Sequence, residues 1–156
     1  MAWFERGDDG KPKPPGEWAG RAVATLSTHD LPTAAGFLSG EHVRVRAGLG
    51  LLDDPDAEAA RAAAERDELL DLLTAEGLLE PGGDPVLALH RLLAATPCDL
   101  VLAAPTDVLR DPRQPNLPGT VDEYPNWRIR LGPTVDDLLA DPRVAEVVAL
   151  LRESRG

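Results

Sequence analysis

The chain has 156 residues, 43% hydrophobic and only 4% aromatic, with 27 acidic side chains against 16 lysines and arginines and a formal net charge of −11. Such a composition describes a single soluble domain with an aliphatic core, and the acidic charge excludes nucleic acid and anionic membrane surfaces as partners, since both repel it at short range. One cysteine excludes an internal disulfide, no stretch approaches the roughly 20 apolar residues of a membrane span, and Met1 to Arg6 lacks the basic start and apolar middle of a signal peptide; the expected location is cytoplasmic.

In chain order, residues 7–16 combine two Lys, three Pro, two Asp and three Gly, a mixture that cannot bury surface and reads as an exposed loop. The apolar run Ala22-Val23-Ala24-Thr25-Leu26 suits one buried strand, and Pro32 forbids its continuation. His29 and Asp30 therefore fall at the C-terminal end of a strand. Two readings of this pair stand: a ligand contact, or a turn in which Asp30 accepts backbone N–H bonds and His29 faces solvent.

Ser39 is placed to cap a helix from about Glu41 to Leu49, with Val43 and Ala47 on one face. Asp-Pro steps at Asp54-Pro55, Asp84-Pro85 and Asp141-Pro142 each open a helix, the proline occupying the first helical position. The first of these runs to about Ala75 and stops at Gly77; the second repeats Val86, Leu89 and Leu93 at helical spacing. Thr134 and Asp137 have the spacing of a capping box before Leu138 and Leu139. His90 reads as helix packing, His42 as a solvated helix residue, and Cys98 as a small buried residue beside the next strand. That strand is Leu100-Val101-Leu102-Ala103-Ala104, closed by Pro105, and it is followed by two polar, proline-rich segments, Gln114 to Thr120 and Asp122 to Arg128. Two strand-to-loop transitions separated by helical sequence describe βα units whose loops meet at one face.

Thr28-His29-Asp30-Leu31-Pro32-Thr33, then Asn116-Leu117-Pro118-Gly119-Thr120, then Pro125-Asn126-Trp127-Arg128 resemble, in this order, the C-terminal part of the catalytic domain of bacterial 4-alpha-glucanotransferases (amylomaltase, disproportionating enzyme). Trp3-Phe4-Glu5-Arg6 resembles a strand that precedes these motifs in the same family, so the likeness covers about Met1 to Leu131. It implies an α/β fold: the C-terminal portion of a (β/α)8 TIM barrel, helix-rich, with about three parallel strands. A complete barrel takes roughly 250 residues, so residues 1–156 read as a single partial domain, an incomplete barrel whose expected partner is the missing N-terminal part of the enzyme.

The resemblance further implies transfer of 1,4-alpha-glucan segments between maltooligosaccharides, without a cofactor or metal. Retaining transfer needs a carboxylate nucleophile and an acid/base carboxyl about 5–5.5 Å apart. By resemblance Asp30 is a third catalytic acid, the transition-state stabiliser. His29 and Asn116 are substrate-binding, contacting sugar hydroxyls. For Asn116 the alternative is a residue that merely closes its turn. Trp127 either stacks on a sugar face or plugs a core, the second being the reading favoured here. The nucleophile and the acid/base have no counterpart in these motifs, and neither Glu5 nor Asp107 stands in the family's pattern. The expectation is a chain inactive alone, the alternative a non-catalytic glucan-binding or interaction remnant.

Overall fold

The computed structural model describes residues 1–154. A two-stranded parallel sheet, β1 (Val23–Thr25) and β2 (Leu100–Leu102), is joined by four helices: α1 (Ala34–Ser39), α2 (Glu41–Gly48), α3 (Pro55–Ala75) and α4 (Pro85–Ala94). After β2 come a short α5 (Pro105–Val108), then α6 (Val135–Ala140) and α7 (Pro142–Glu153). None of the described helices is long and apolar enough to cross a membrane.

The helix boundaries follow from the chemistry of their first turns. Asp54 Oδ1 accepts the Ala57 N–H at 3.0 Å, Asp84 Oδ1 that of Val86 at 2.9 Å, and Asp141 Oδ1 that of Arg143 at 2.9 Å; each thereby satisfies an N–H that the helix itself leaves unbonded. The Thr134–Asp137 capping box forms in full. α4 is apolar on most of its circumference, burying Val86, Ala88, Leu89, Leu92 and Leu93, and such a helix belongs in the centre of a fold. It packs against α1, α3, α5 and α7. Leu69 and Leu73 of α3, Ala24 and Leu26 at β1, and Trp18 complete the core around it.

Two expectations change. Trp3-Phe4 is not a strand: Ala2–Phe4 is a turn of 3-10 helix, so the described residues hold two strands and not three. The Phe4 N–H returns to the Met1 carbonyl at 3.1 Å, while Glu5 and Gly7 bond to Lys13 and Lys11 across a tight hairpin. The backbone that a strand would offer to a neighbour is thereby spent locally. The hairpin exposes residues 8–11 at its tip and buries Pro15. The second change is α1, absent from the sequence reading. Thr33 is its cap, accepting the Gly36 N–H at 3.0 Å, and Ser39 does not cap α2, whose N-cap is Gly40 with no side-chain bond. Ser39 turns back to donate to the Ala35 carbonyl at 2.7 Å, and Gly40, at φ 71°, separates α1 from α2.

On β1 and β2 the pairs Val23–Leu100 and Thr25–Leu102 share one face and Ala24–Val101 the other. Ala24 points into the helices, while Val23, Leu100 and Leu102 lie on the opposite, exposed face.

Candidate functional site

The loop after β1 and the segment after α5 form a single cluster. Ser27 and Thr33 are buried and hold the two ends of the first loop, which lifts Thr28, His29 and Asp30 to the surface. The second segment is shaped by its own side chains. Gln114 Nε2 donates to the Asn116 carbonyl at 2.6 Å and the Tyr124 hydroxyl to the Gln114 carbonyl at 2.7 Å. Asn126 Oδ1 accepts the Leu117 N–H at 2.8 Å while its Nδ2 donates to the Thr120 hydroxyl at 2.8 Å. Gly119 turns the loop at φ 87°, a conformation an L side chain resists.

These two scaffolds bring together residues 86 positions apart: Asn116 Nδ2 donates to Asp30 Oδ1 at 2.5 Å. His29 Nε2 lies 3.2 Å from the other carboxylate oxygen, Oδ2, and the backbone seals the contact, the Asn116 N–H donating to the His29 carbonyl at 3.0 Å. His29 and Asp30 are both about half exposed. The cluster is thus an open polar surface, one carboxylate held between an amide and an imidazole, with lone pairs and N–H groups left for neutral hydroxyls.

Trp127 corrects the sequence reading. It does not plug a core but is 68% exposed, with its ring centroid 4.8 Å from that of His29 and the planes tilted by 42°. The cause is the turn. Asn126 is committed to the 117–120 loop, the Trp127 N–H bonds to the Pro115 carbonyl at 3.0 Å, and Trp127 takes φ 60°, which throws its side chain outward. An exposed indole beside polar donors and acceptors is suited to stacking on a sugar face.

His42 is also corrected: it is half-buried, with Nδ1 3.2 Å from the Gly36 carbonyl and its ring stacked on Phe37 at 5.8 Å. His90 is fully buried in α4, its Nδ1 2.8 Å from the Val86 carbonyl, and burial holds its pKa below the ordinary imidazole value. Cys98 is buried, its Sγ donating to the Ala19 carbonyl at 3.2 Å.

Asp107 is the residue the sequence undervalued. It is 0% exposed, and its two oxygens accept from Ser27 Oγ at 2.6 Å and from the Ala34 N–H at 2.7 Å. Burial pushes its carboxyl above the ordinary aspartate value, against the pull of those two bonds. The only signal in the sequence was an acid directly after Pro105-Thr106, which is equally the signature of a helix first turn. Glu123 is committed too, its Oε2 accepting the Val121 and Asp122 N–H groups at 2.8 and 3.1 Å.

A cleft of about 490 Å3 opens beside Leu31 and Pro32, bounded by Trp3, Phe4, Arg46 and Arg61; it adjoins the loop of the cluster without including His29, Asp30 or Asn116. Among the described residues no group of three His, Cys, Asp or Glu is arranged to hold a metal ion.

The two loops thus present a polar cluster flanked by an exposed aromatic side chain at the ends of a parallel βα arrangement. The particular family is given by comparison. The sequence model of the 4-alpha-glucanotransferases matches residues 1–135, and the chain belongs to that family. It is 42% identical to a 4-alpha-glucanotransferase of Mycobacterium bovis over 97% of its own length, and equally to one of Mycobacterium tuberculosis. It spans about a quarter, 23%, of the length of these curated relatives. Its fold superposes on the crystal structure of amylomaltase from Corynebacterium glutamicum with a TM-score of 0.85 and 31% identity, covering 96% of this chain and 24% of that one.

Proposed function

We propose that this chain forms part of a 4-alpha-glucanotransferase site that moves 1,4-alpha-glucan segments between maltooligosaccharides by a retaining mechanism, in the cytoplasm. Asp30 is the transition-state stabiliser, and His29 and Asn116 contact sugar hydroxyls. The observation that carries this reading is the Asn116–Asp30 hydrogen bond at 2.5 Å, closed by His29 and flanked by an exposed Trp127. A carboxylate whose donors hold it in one orientation can strengthen its grip as positive charge develops on a distorting sugar ring. Ionised, it also stabilises that charge directly.

In this reading the chain contributes the C-terminal strands and helices of a TIM barrel, a single partial domain with residues 7–16 as a loop at one end. The exposed apolar face carrying Val23, Leu100 and Leu102 is then the barrel's interior face. The nucleophile and acid/base come from elsewhere in the barrel. Asp107 is buried under two hydrogen bonds and Glu123 is tied to its own backbone, so neither is available to attack an anomeric carbon. The chain alone therefore binds glucan and does not turn it over.

The test has two arms. Maltoheptaose titrated into the 156-residue chain is expected to perturb the NMR signals of His29, Asn116 and the Trp127 indole, and maltotriose is expected to yield no glucose. Adding a polypeptide that carries the nucleophile and acid/base of a full-length relative should restore some disproportionation. Robust turnover by the chain alone would falsify the division of labour, and absence of any shift with maltoheptaose would remove the glucan-binding assignment.

A further inference from the structure

Both loops of the cluster lead back to one buried group. Ser27 is the residue where the β1 chain leaves the core, and Ala34 is the first residue of α1; between them lie Thr28 to Thr33, including His29 and Asp30. Asp107 Oδ2 takes the Ser27 hydroxyl and Oδ1 the Ala34 N–H. A single carboxylate thus brackets both ends of that loop. Asp107 lies in α5, at the start of the segment that runs on to Asn116, so the same residue ties the Asp30 loop to the element from which the Asn116 loop departs. Thr33 repeats the tie one turn on, donating to the Asp111 carbonyl at 2.6 Å. Gly36 lets α1 approach there, since a Cβ at that position would stand 2.6 Å from the Pro112 carbonyl oxygen.

We propose that Asp107 is a positioning residue, whose clamp on Ser27 and Ala34 sets the separation of Asp30 from Asn116. It touches no sugar; it acts by denying the His29-Asp30 loop the freedom to slide along the Asn116 loop. Each of its bonds is made to a fully or nearly fully buried donor, where an unmade bond is costly and alternatives from water are absent. The significance of this separation for glucan rests on the function proposed above. The clamp itself does not.

The experiment uses the whole chain and reads amide hydrogen exchange. The Asn116 N–H, bonded to the His29 carbonyl, reports the contact between the two loops, and the N–H groups of Leu73 and Leu89 in the core report global opening. In D107A, and in S27A should D107A not fold, the Asn116 amide is expected to exchange about tenfold faster relative to Leu73 and Leu89. The Asn116 side-chain NH2 signals, bonded to Asp30, should move toward those of a solvated amide. D107N is expected to stay within about threefold of the parent, because an asparagine can accept from Ala34 through Oδ1 and donate to the Ser27 hydroxyl through Nδ2. Asn116 exchange within about twofold of the parent in S27A and D107A overturns the proposal; so does a D107N variant as loose as D107A, which would make the charge and not the clamp responsible. If the parent shows no shift with maltoheptaose, the glucan reading fails while the exchange data still decide the clamp.

Discussion

Asp30 and Asp107 each stand five residues beyond the end of a strand, counted from Thr25 to Asp30 and from Leu102 to Asp107, yet their surroundings are opposite. Asp30 is half exposed, shares its oxygens with Asn116 and His29, and retains capacity for a ligand. Asp107 is buried, and each of its oxygens accepts a bond from a group of the fold. Equivalent places in two successive units thus carry one carboxylate for the surface and one for the frame. Position relative to a strand identifies where an acid can serve; burial and partners decide what it serves.

The largest effect that should separate the two is on stability. D107A leaves the Ser27 hydroxyl and Ala34 N–H buried without an acceptor and is expected to cost about 2–4 kcal/mol, measured by urea or thermal unfolding. D107N should cost less. Protonation sharpens the contrast. Burial raises the folded-state pKa of Asp107 above the 3.8 of an ordinary aspartate, so the folded chain takes up this proton before the unfolded chain does. That contribution to stability is present below the unfolded value and is lost as pH rises through the folded one. Measured against D107N, the parent should therefore lose relative stability as pH rises from about 4; a gain over that interval would contradict the burial argument.

D30A should do the reverse. The group is exposed, its pairing with His29 is solvent-screened, and the expected change in unfolding free energy is within about 0.5–1 kcal/mol. Maltoheptaose affinity is where the loss should appear, about tenfold, since a charge-assisted contact to hydroxyls is worth roughly that much. A D30A variant that bound glucan normally but unfolded early would exchange the roles assigned to the two acids.

What was legible in the sequence follows the range of the forces involved. The Asp-Pro openings of α3, α4 and α7 and the Thr134 capping box act within one turn, so the residues that make them also reveal them. α1 has little local signature because Gly36 and the Ser39-Gly40 pair weaken the helix signal; Gly36 allows the approach to Pro112, a contact 76 residues away that no local pattern records. His29, Asp30 and Asn116 were legible as polar residues in proline-rich loops. Asp107 was not, since its role depends on Ser27 lying 80 residues earlier in the chain. Trp127 differs from its expected buried place for a related reason: burial of an indole is settled by the backbone turn that carries it, and a left-handed tryptophan has no sequence signature.

That turn gives the next test in size. Trp127 at φ 60° sits in a region disfavoured for a bulky side chain, at a cost of order 1 kcal/mol. W127G should therefore raise unfolding stability by up to about 1 kcal/mol while weakening maltoheptaose binding, and W127A should weaken binding to the same extent without the gain. If both variants bound as the parent does, Trp127 would be an exposed residue without a part in the site, and the proposed carbohydrate surface would shrink to the polar cluster alone.

The smallest effect concerns Asp141, which warns against equating a surface carboxylate with a functional one. Its oxygens accept from Arg143 Nε at 2.9 Å and Nη2 at 2.6 Å as well as from the Arg143 backbone, and Arg143 in turn donates to the Leu109 carbonyl at 2.8 Å. The Arg143 side chain first, then its backbone N–H, lowers the Asp141 pKa to about 2. Here the sign is opposite to that of Asp107. The folded value lies below the unfolded one, so the contribution is present above pH 3.8 and is lost as pH falls toward 2. D141A should open the first turn of α7, and the accompanying loss of thermal stability should be larger at pH 6 than below pH 2, where the protonated carboxyl retains only a neutral cap. D141N should lose less at pH 6, because asparagine caps a helix nearly as well. An effect of D141A on maltoheptaose binding would mean that the link from α7 through Leu109 to α5 reaches the Asp107 clamp; unchanged binding with reduced stability leaves Asp141 a cap, and Asp30 the acid that faces a ligand.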